Sequence, residues 1–135
     1  MQEGILKKEY LCLVSGTINQ KSGTINLPIA RKEGSIMERC IDERGKQAIT
    51  HYKVIKEFKN YSLVECRLET GRTHQIRLHM ASIGHPLLGD TLYGTSSSLI
   101  SRQALHSYKI KFIHPITKKE IELIAKLPQD INTCI

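Results

Sequence analysis

Leu68-Glu69-Thr70-Gly71-Arg72-Thr73-His74-Gln75-Ile76-Arg77-Leu78-His79 gathers two arginines and two histidines at the point where a strand pattern gives way to a helix pattern. Before it, Tyr61 to Glu69 alternates: Ser62, Val64, Cys66 and Leu68 fall on one face, and Glu65, Arg67 and Glu69 on the other. After it, Ile76, Met80 and Ile83 recur at i, i+4 and i+7, the apolar stripe of a helix. The pattern predicts a helix capped by Thr73 and running to about Ile83, with Gly84 and Pro86 as its stop. A helix N-terminus carries unpaired N–H groups and partial positive charge, so this joint suits a phosphate or a carboxylate. Arg77 lies about 100° around the helix from Ile76, one turn from Thr73 and His74, and can reach the same pocket.

Working outward, Gln47 to Phe58 is rich in β-branched residues and turns through Lys59-Asn60 into the Tyr61 strand, which predicts an antiparallel hairpin. Glu9 to Ser15 reads as an earlier strand closed by Gly16. Ala104 to His114 and Glu120 to Ala125 read as a closing hairpin around Pro115-Ile116-Thr117-Lys118. Thr95-Ser96-Ser97-Ser98 is a loop, and it and the N-terminal residues are expected to be the poorly ordered ones. The sum is an α+β domain: a mostly antiparallel mixed β-sheet with few helices, and one helix that the pattern defines well.

The 135 residues suffice for one domain with its own core. Lys and Arg outnumber Asp and Glu by 20 to 13, and the resulting net charge of +7 favours an anionic partner, nucleic acid being the usual one. No apolar run is long enough to cross a membrane and no signal peptide opens the chain, so a cytoplasmic location and no membrane partner are expected. Cys12, Cys40, Cys66 and Cys134 are too scattered for a zinc knuckle or redox motif and read as reduced thiols.

Other chemistries fit poorly. His74 and His79 diverge around a helix instead of sharing a face, and His106 and His114 have no carboxylate cluster near them, so no metal site is expected. Ser96 to Ser98 lack the setting of a nucleophilic serine. Asp42, Asp90 and Asp130 all sit in turn contexts and read as turn or capping residues. For Arg72 and Arg77 the alternative to a binding site is a surface ion pair, with Glu69 or Glu65 as partner. The polar residues packed around them favour a site, since arginine's planar fork matches phosphate or carboxylate.

Thr70-Gly71-Arg72-Thr73-His74-Gln75-Ile76-Arg77-Leu78-His79, followed by Gly84-His85-Pro86-Leu87-Leu88-Gly89-Asp90 and Tyr93-Gly94, resembles the RNA pseudouridine synthases of the RluA type, which act on large-subunit rRNA or tRNA. Lys8-Glu9-Tyr10-Leu11, Pro28-Ile29 with Arg31, Gly45-Lys46-Gln47-Ala48, Arg102-Gln103-Ala104-Leu105-His106 and Leu127-Pro128-Gln129-Asp130 follow the family pattern in order. The resemblance implies an isomerase that breaks the N-glycosidic bond of a flipped-out uridine, turns the base and rejoins it through carbon, with no metal or organic cofactor. It gives Tyr10 the place of the tyrosine that packs on the target base, and Arg77 the place of the basic residue that pairs with the catalytic aspartate. Arg72, Thr73, His74 and Gln75 become candidates for shaping the pocket or contacting RNA phosphate.

In that family the central aspartate lies in a His-Arg-Leu-Asp motif, and this chain has none. Residues 1–135 are therefore expected to be the C-terminal portion of a pseudouridine synthase catalytic domain, inactive alone. The surface left by the missing strands is expected to promote self-association. The alternative is a non-catalytic RNA-binding module on the same scaffold. A plain basic structural protein of an RNA particle is disfavoured, because phosphate affinity alone needs only scattered Lys and Arg.

Overall fold

The computed structural model describes residues 5–135, with side chains from residue 7 onward, so the expectation of poor order at the extreme N-terminus lies outside the described residues. In chain order the elements are β1 (Ile5–Ser15), β2 (Ser22–Asn26), β3 (Ile29–Arg31), β4 (Arg39–Ile41), β5 (Ile49–Glu57), β6 (Tyr61–Leu68), α1 (Gln75–Ser82), β7 (Leu105–Ile113), β8 (Glu120–Ile124) and α2 (Gln129–Thr133). Six strands form one sheet in the order β2-β5-β6-β1-β7-β8, and β3 and β4 pair separately as a short arm. Every strand pairing among the described residues is antiparallel.

β1 occupies the middle because its sequence is apolar on both faces: Cys12, Leu13 and Val14 are consecutive and fully buried. Cys12 and Val14 join Tyr52, Val64 and Cys66 on the face that α1 covers with Ile76 and Met80. Burying two such side chains contributes about 1.5–3 kcal/mol each. Leu13 points the other way, with Leu63, Ile100, Ala104 and Ile131 of α2. Cys12 and Cys66 are free thiols inside the first core, their sulfurs 4.0 Å apart.

The two hairpins predicted from the sequence form as β5–β6 and β7–β8, the first with a bulge between Val54 and Lys56. The helix stripe also holds, with Ile76 and Met80 buried and Ile83 packed against the same core.

One expectation is corrected. Thr73 does not cap α1. The helix starts at Gln75, and its N-cap is His74, held in the left-handed region (φ 57°) with no side-chain capping bond. The cause is Gln75, whose Oε1 accepts from the Thr70 hydroxyl and the Arg72 amide, tightening the chain into a turn before the helix begins. The second of the few helices, α2, is five residues long, too short to show a helical period in the sequence; Pro128 precedes it and Ile131 anchors it.

After α1 the chain is pinned back onto β1. Ser15 donates to the Pro86 carbonyl, Leu88 to Leu13, Ala104 to Leu88, and Leu13 to Ala104. Gly89 lies in this crossing at φ 73°, and a Cβ there would sit 2.1 Å from the Arg102 carbonyl oxygen, so the Leu-Leu-Gly-Asp sequence needs its glycine on two counts. The crossing delivers Asp90 to α1.

Candidate active-site cleft

Tyr10 on β1 and Arg77 on α1 meet in one cleft of about 370 Å³, lined also by Leu68, Arg72, His74, Gln75, Ile76, Gln103 and Leu105. Of the residues singled out in the sequence, Tyr10, Arg72, His74, Gln75 and Arg77 therefore converge. Thr73 does not line this cleft; it faces a second, basic one that also includes Arg72.

Arg77 is fixed by Asp90. Its Nε donates to Asp90 Oδ2 at 2.8 Å and its Nη2 to Oδ1 at 2.9 Å, a parallel two-bond pair. The Asp90 carboxylate is fully buried and the arginine side chain 14% exposed. Burial alone would raise the Asp90 pKa, but the Arg77 guanidinium and the amides of Tyr93 and Leu92 outweigh it and hold the carboxyl below its ordinary value. The same pairing raises Arg77. Arg77 Nη1 has no protein partner among the described residues and is not buried, leaving it for a further acceptor. Neither expected glutamate serves as an arginine partner: Glu69 pairs with His51, and Glu65 accepts from Tyr108. Arg72 instead donates from Nε to the Gln47 carbonyl.

Tyr93 organises the opposite side of Arg77. The guanidinium carbon lies 5.3 Å from the centre of its ring, within cation–π range. Its oxygen accepts from the Arg39 amide at 2.8 Å and meets His74 Nδ1 at 2.7 Å. With that oxygen already accepting from Arg39, the phenol proton is free to be donated to a neutral imidazole. This contact stabilises the left-handed conformation of His74, which otherwise disfavours a non-glycine residue by about 1–2 kcal/mol. In the sequence Tyr93 stands out only through the Tyr93-Gly94 motif of the family resemblance, and its ring contacts are set by folding.

Gln75 is 2% exposed and fully engaged. Besides the two bonds to its Oε1, its Nε2 donates to the Ile49 carbonyl and to Thr50 Oγ1. The Thr50 hydroxyl in turn meets His79 Nδ1 at 2.8 Å, and His79 Nε2 donates to the Leu27 carbonyl. The chain of bonds runs from the strand–helix joint to the far side of α1 and uses a neutral His79. Gln75 thus locks the joint, while Arg72 and His74 remain partly exposed.

Both imidazoles are held below the ordinary histidine value of 6.5. His79 is lowered by burial, which outweighs the opposing effect of its bond to the Leu27 carbonyl. His74 is lowered by burial, then by Arg77 and Arg39, with Asp90 opposing. As pH falls below about 6.5 the unfolded chain binds protons that the folded chain refuses, so stability rises with pH in this window. Stability present at pH 7.5 is therefore expected to fall as pH drops from about 6.5 through the lower folded-state values, and then to level off. Urea midpoints measured from pH 8 to 5 test this, and a midpoint that stays flat to pH 5 refutes it. In His79→Gln the decline should shrink.

The three aspartates are all committed to structure. Asp42 pairs with Arg44 and accepts its amide, Asp90 holds Arg77, and Asp130 pairs with Arg102 and accepts the Ile131 amide. This agrees with their reading as turn and capping residues. No helix among the described residues is long and apolar enough to cross a membrane.

A family model described as RNA pseudouridylate synthase matches residues 1–82. The uncharacterized RNA pseudouridine synthase YjbO of Bacillus subtilis (strain 168) is 46% identical over 134 residues, covering 99% of this chain and 47% of its own length. Ribosomal large subunit pseudouridine synthase D of Zymomonas mobilis is 45% identical over 138 residues, covering 94% and 43% respectively. Among solved structures, human RNA pseudouridylate synthase domain containing 1 superposes with a TM-score of 0.79 at 27% identity, over 95% of this chain and 58% of that one. The chain thus spans under half the length of these curated relatives. With a family model matching more than half of its residues and relatives aligned along nearly all of it, the chain belongs to the RNA pseudouridylate synthase family.

Proposed function

We propose that this chain forms the uridine-binding part of an RNA pseudouridine synthase, an isomerase acting on rRNA or tRNA. Residues 1–135 are the C-terminal portion of its catalytic domain, and the nucleophilic aspartate comes from a His-Arg-Leu-Asp segment not found in this sequence. The reading rests on one observation above the others. Tyr10 and Arg77, far apart in sequence, face one cleft, and Asp90 holds the arginine with Nη1 still unpartnered by protein. In this reading Tyr10 stacks on the extruded base and Arg77 Nη1 orients the catalytic carboxylate and keeps it ionised. Arg72 and His74 border the nucleotide, Thr73 faces its backbone, and Gln75 acts as a positioning residue. The reaction needs no metal or organic cofactor.

The test is tritium release from unmodified ribosomal RNA labelled at uridine C5. It is run with this chain alone, and with a chimera completed by the part of YjbO outside the alignment. Release from the chimera only is the expected result. Release from this chain alone would mean that Asp42, Asp90 or Asp130 serves as nucleophile and would overturn the assignment. RNA binding without release from either would favour a non-catalytic binding module, a reading that the structural engagement of all three aspartates also supports.

We further propose self-association through β8. Among the described residues it is an edge of the sheet, with Leu123 and Ile124 57% and 69% exposed beside a backbone row that no described strand pairs. Light scattering should show mass rising with concentration, and Ile124→Lys should return the chain to monomer. A wild-type monomer at all concentrations sinks the proposal.

A further inference from the structure

The second cleft, about 460 Å³, is walled by the β3–β4 arm on one side and by Gly71, Arg72 and Thr73 on the other. Arg31, Arg39, Arg44, Lys46 and Arg72 all line it, and no carboxylate residue does. Arg44 is neutralised by Asp42. The other four have no carboxylate partner among the described residues, although the same arm carries a Lys32–Glu38 pair close by. Like charges gathered without counter-ions repel, so the arrangement disfavours the empty fold and favours an anion between them.

The walls are held in place independently of those charges. Ile29 and Lys46 exchange backbone hydrogen bonds at 2.9 Å in both directions. The turn presses so closely on β3 that a Cβ on Gly45 would lie 2.5 Å from the Ile29 carbonyl. On the other wall, the Arg72 guanidinium donates only through Nε, to the Gln47 carbonyl, which fixes the side chain and leaves both terminal nitrogens unbonded among the described residues. Arg39 uses Nη1 on the carbonyls of Ile36 and Met37, leaving Nη2. Unspent guanidinium nitrogens on braced stems suit phosphate oxygens, which they meet two at a time. Arg72 lines this cleft and the Tyr10–Arg77 cleft alike, so the two open on each other's border.

We infer that this cleft binds the phosphodiester backbone next to the nucleotide held by Tyr10, with Arg31, Arg39, Lys46 and Arg72 as the phosphate ligands. The inference rests on the proposed function and deepens it: the two clefts divide the work, one taking the base and the other the backbone. Contacts to phosphate position a nucleic acid and set its salt dependence, without reading its sequence.

The experiment measures binding of the chain to a fluorescent single-stranded oligoribonucleotide as a function of potassium chloride, for wild type, Arg31→Gln/Lys46→Gln, Tyr10→Ala and the distant control Lys118→Gln/Lys119→Gln. Losing two phosphate contacts on a single strand should lower the slope of log affinity against log salt by about 1.4, which is about 25-fold in affinity at 0.1 M salt. Tyr10→Ala should lose affinity at unchanged slope, and the control should keep both. With an oligonucleotide abasic at its centre, the Arg31/Lys46 effect should persist and the Tyr10 effect should vanish. A slope and affinity in Arg31→Gln/Lys46→Gln equal to wild type, with Tyr10→Ala still impaired, overturns the backbone cleft and leaves the functional reading standing. No RNA binding by the wild-type chain overturns both. Arg31 and Lys46 are exposed, and circular dichroism checks that the variant is folded.

Discussion

Asp90→Ala is expected to lower the folding free energy by about 3–5 kcal/mol, the range for removing one partner of a buried ion pair. The reason is what stays behind. Arg77 would keep its charge in a site that exposes 14% of its side chain, with Nε and Nη2 stripped of their acceptors. The amides of Leu92 and Tyr93 would lose an acceptor at the same time, freeing the turn that carries Tyr93. Urea denaturation of wild type and variant measures the difference. The companion is Asp90→Ala/Arg77→Met, which removes the stranded charge and should recover part of the loss. A drop of under about 1 kcal/mol for Asp90→Ala would place the pair with exposed ion pairs and contradict its burial.

Arg77→Lys is expected to act on turnover and leave the fold largely intact. Lysine keeps the positive charge opposite Asp90, so the buried carboxylate remains paired. It cannot reproduce the planar fork, and it has no second face like Nη1 to offer a carboxylate in the cleft. In a chimera that releases tritium, kcat should fall by about 100- to 1,000-fold, the scale seen when one preorganised donor is removed from a reacting centre. KM should change little, because the proposed function gives the base to Tyr10 and the backbone to the second cleft. A KM effect with kcat unchanged would make Arg77 a binding residue and remove it from the chemistry.

The joint at residues 68–79 shows where reading from sequence succeeds and where it stops. The alternation of Tyr61 to Glu69 and the stripe Ile76, Met80, Ile83 are local patterns, and the structure follows both. The cap did not follow its local signal. Thr73 is a good capping residue by type, yet Gln75 takes over because Thr70, Ile49 and Thr50 stand where its amide can bond all of them. Those partners come from β5 and the end of β6, and nothing in the spacing of the joint announces them. α2 was hidden for a different reason: five residues complete little more than one turn, so no period exists to detect.

The sequence by itself determined the two hairpins, the helix that follows the second strand, the basic character of the chain and the family to which its motifs belong. These rest on side-chain period, turn chemistry and charge, which are properties of neighbours along the chain. Tertiary structure alone decided that β1 lies between β6 and β7, that Asp90 holds Arg77, that Tyr93 sits beneath it, and that Arg31, Arg39, Lys46 and Arg72 line one cleft. Each of these brings together residues whose separation in sequence carries no periodic signal. They meet because burying both faces of β1 folds the rest of the chain around it.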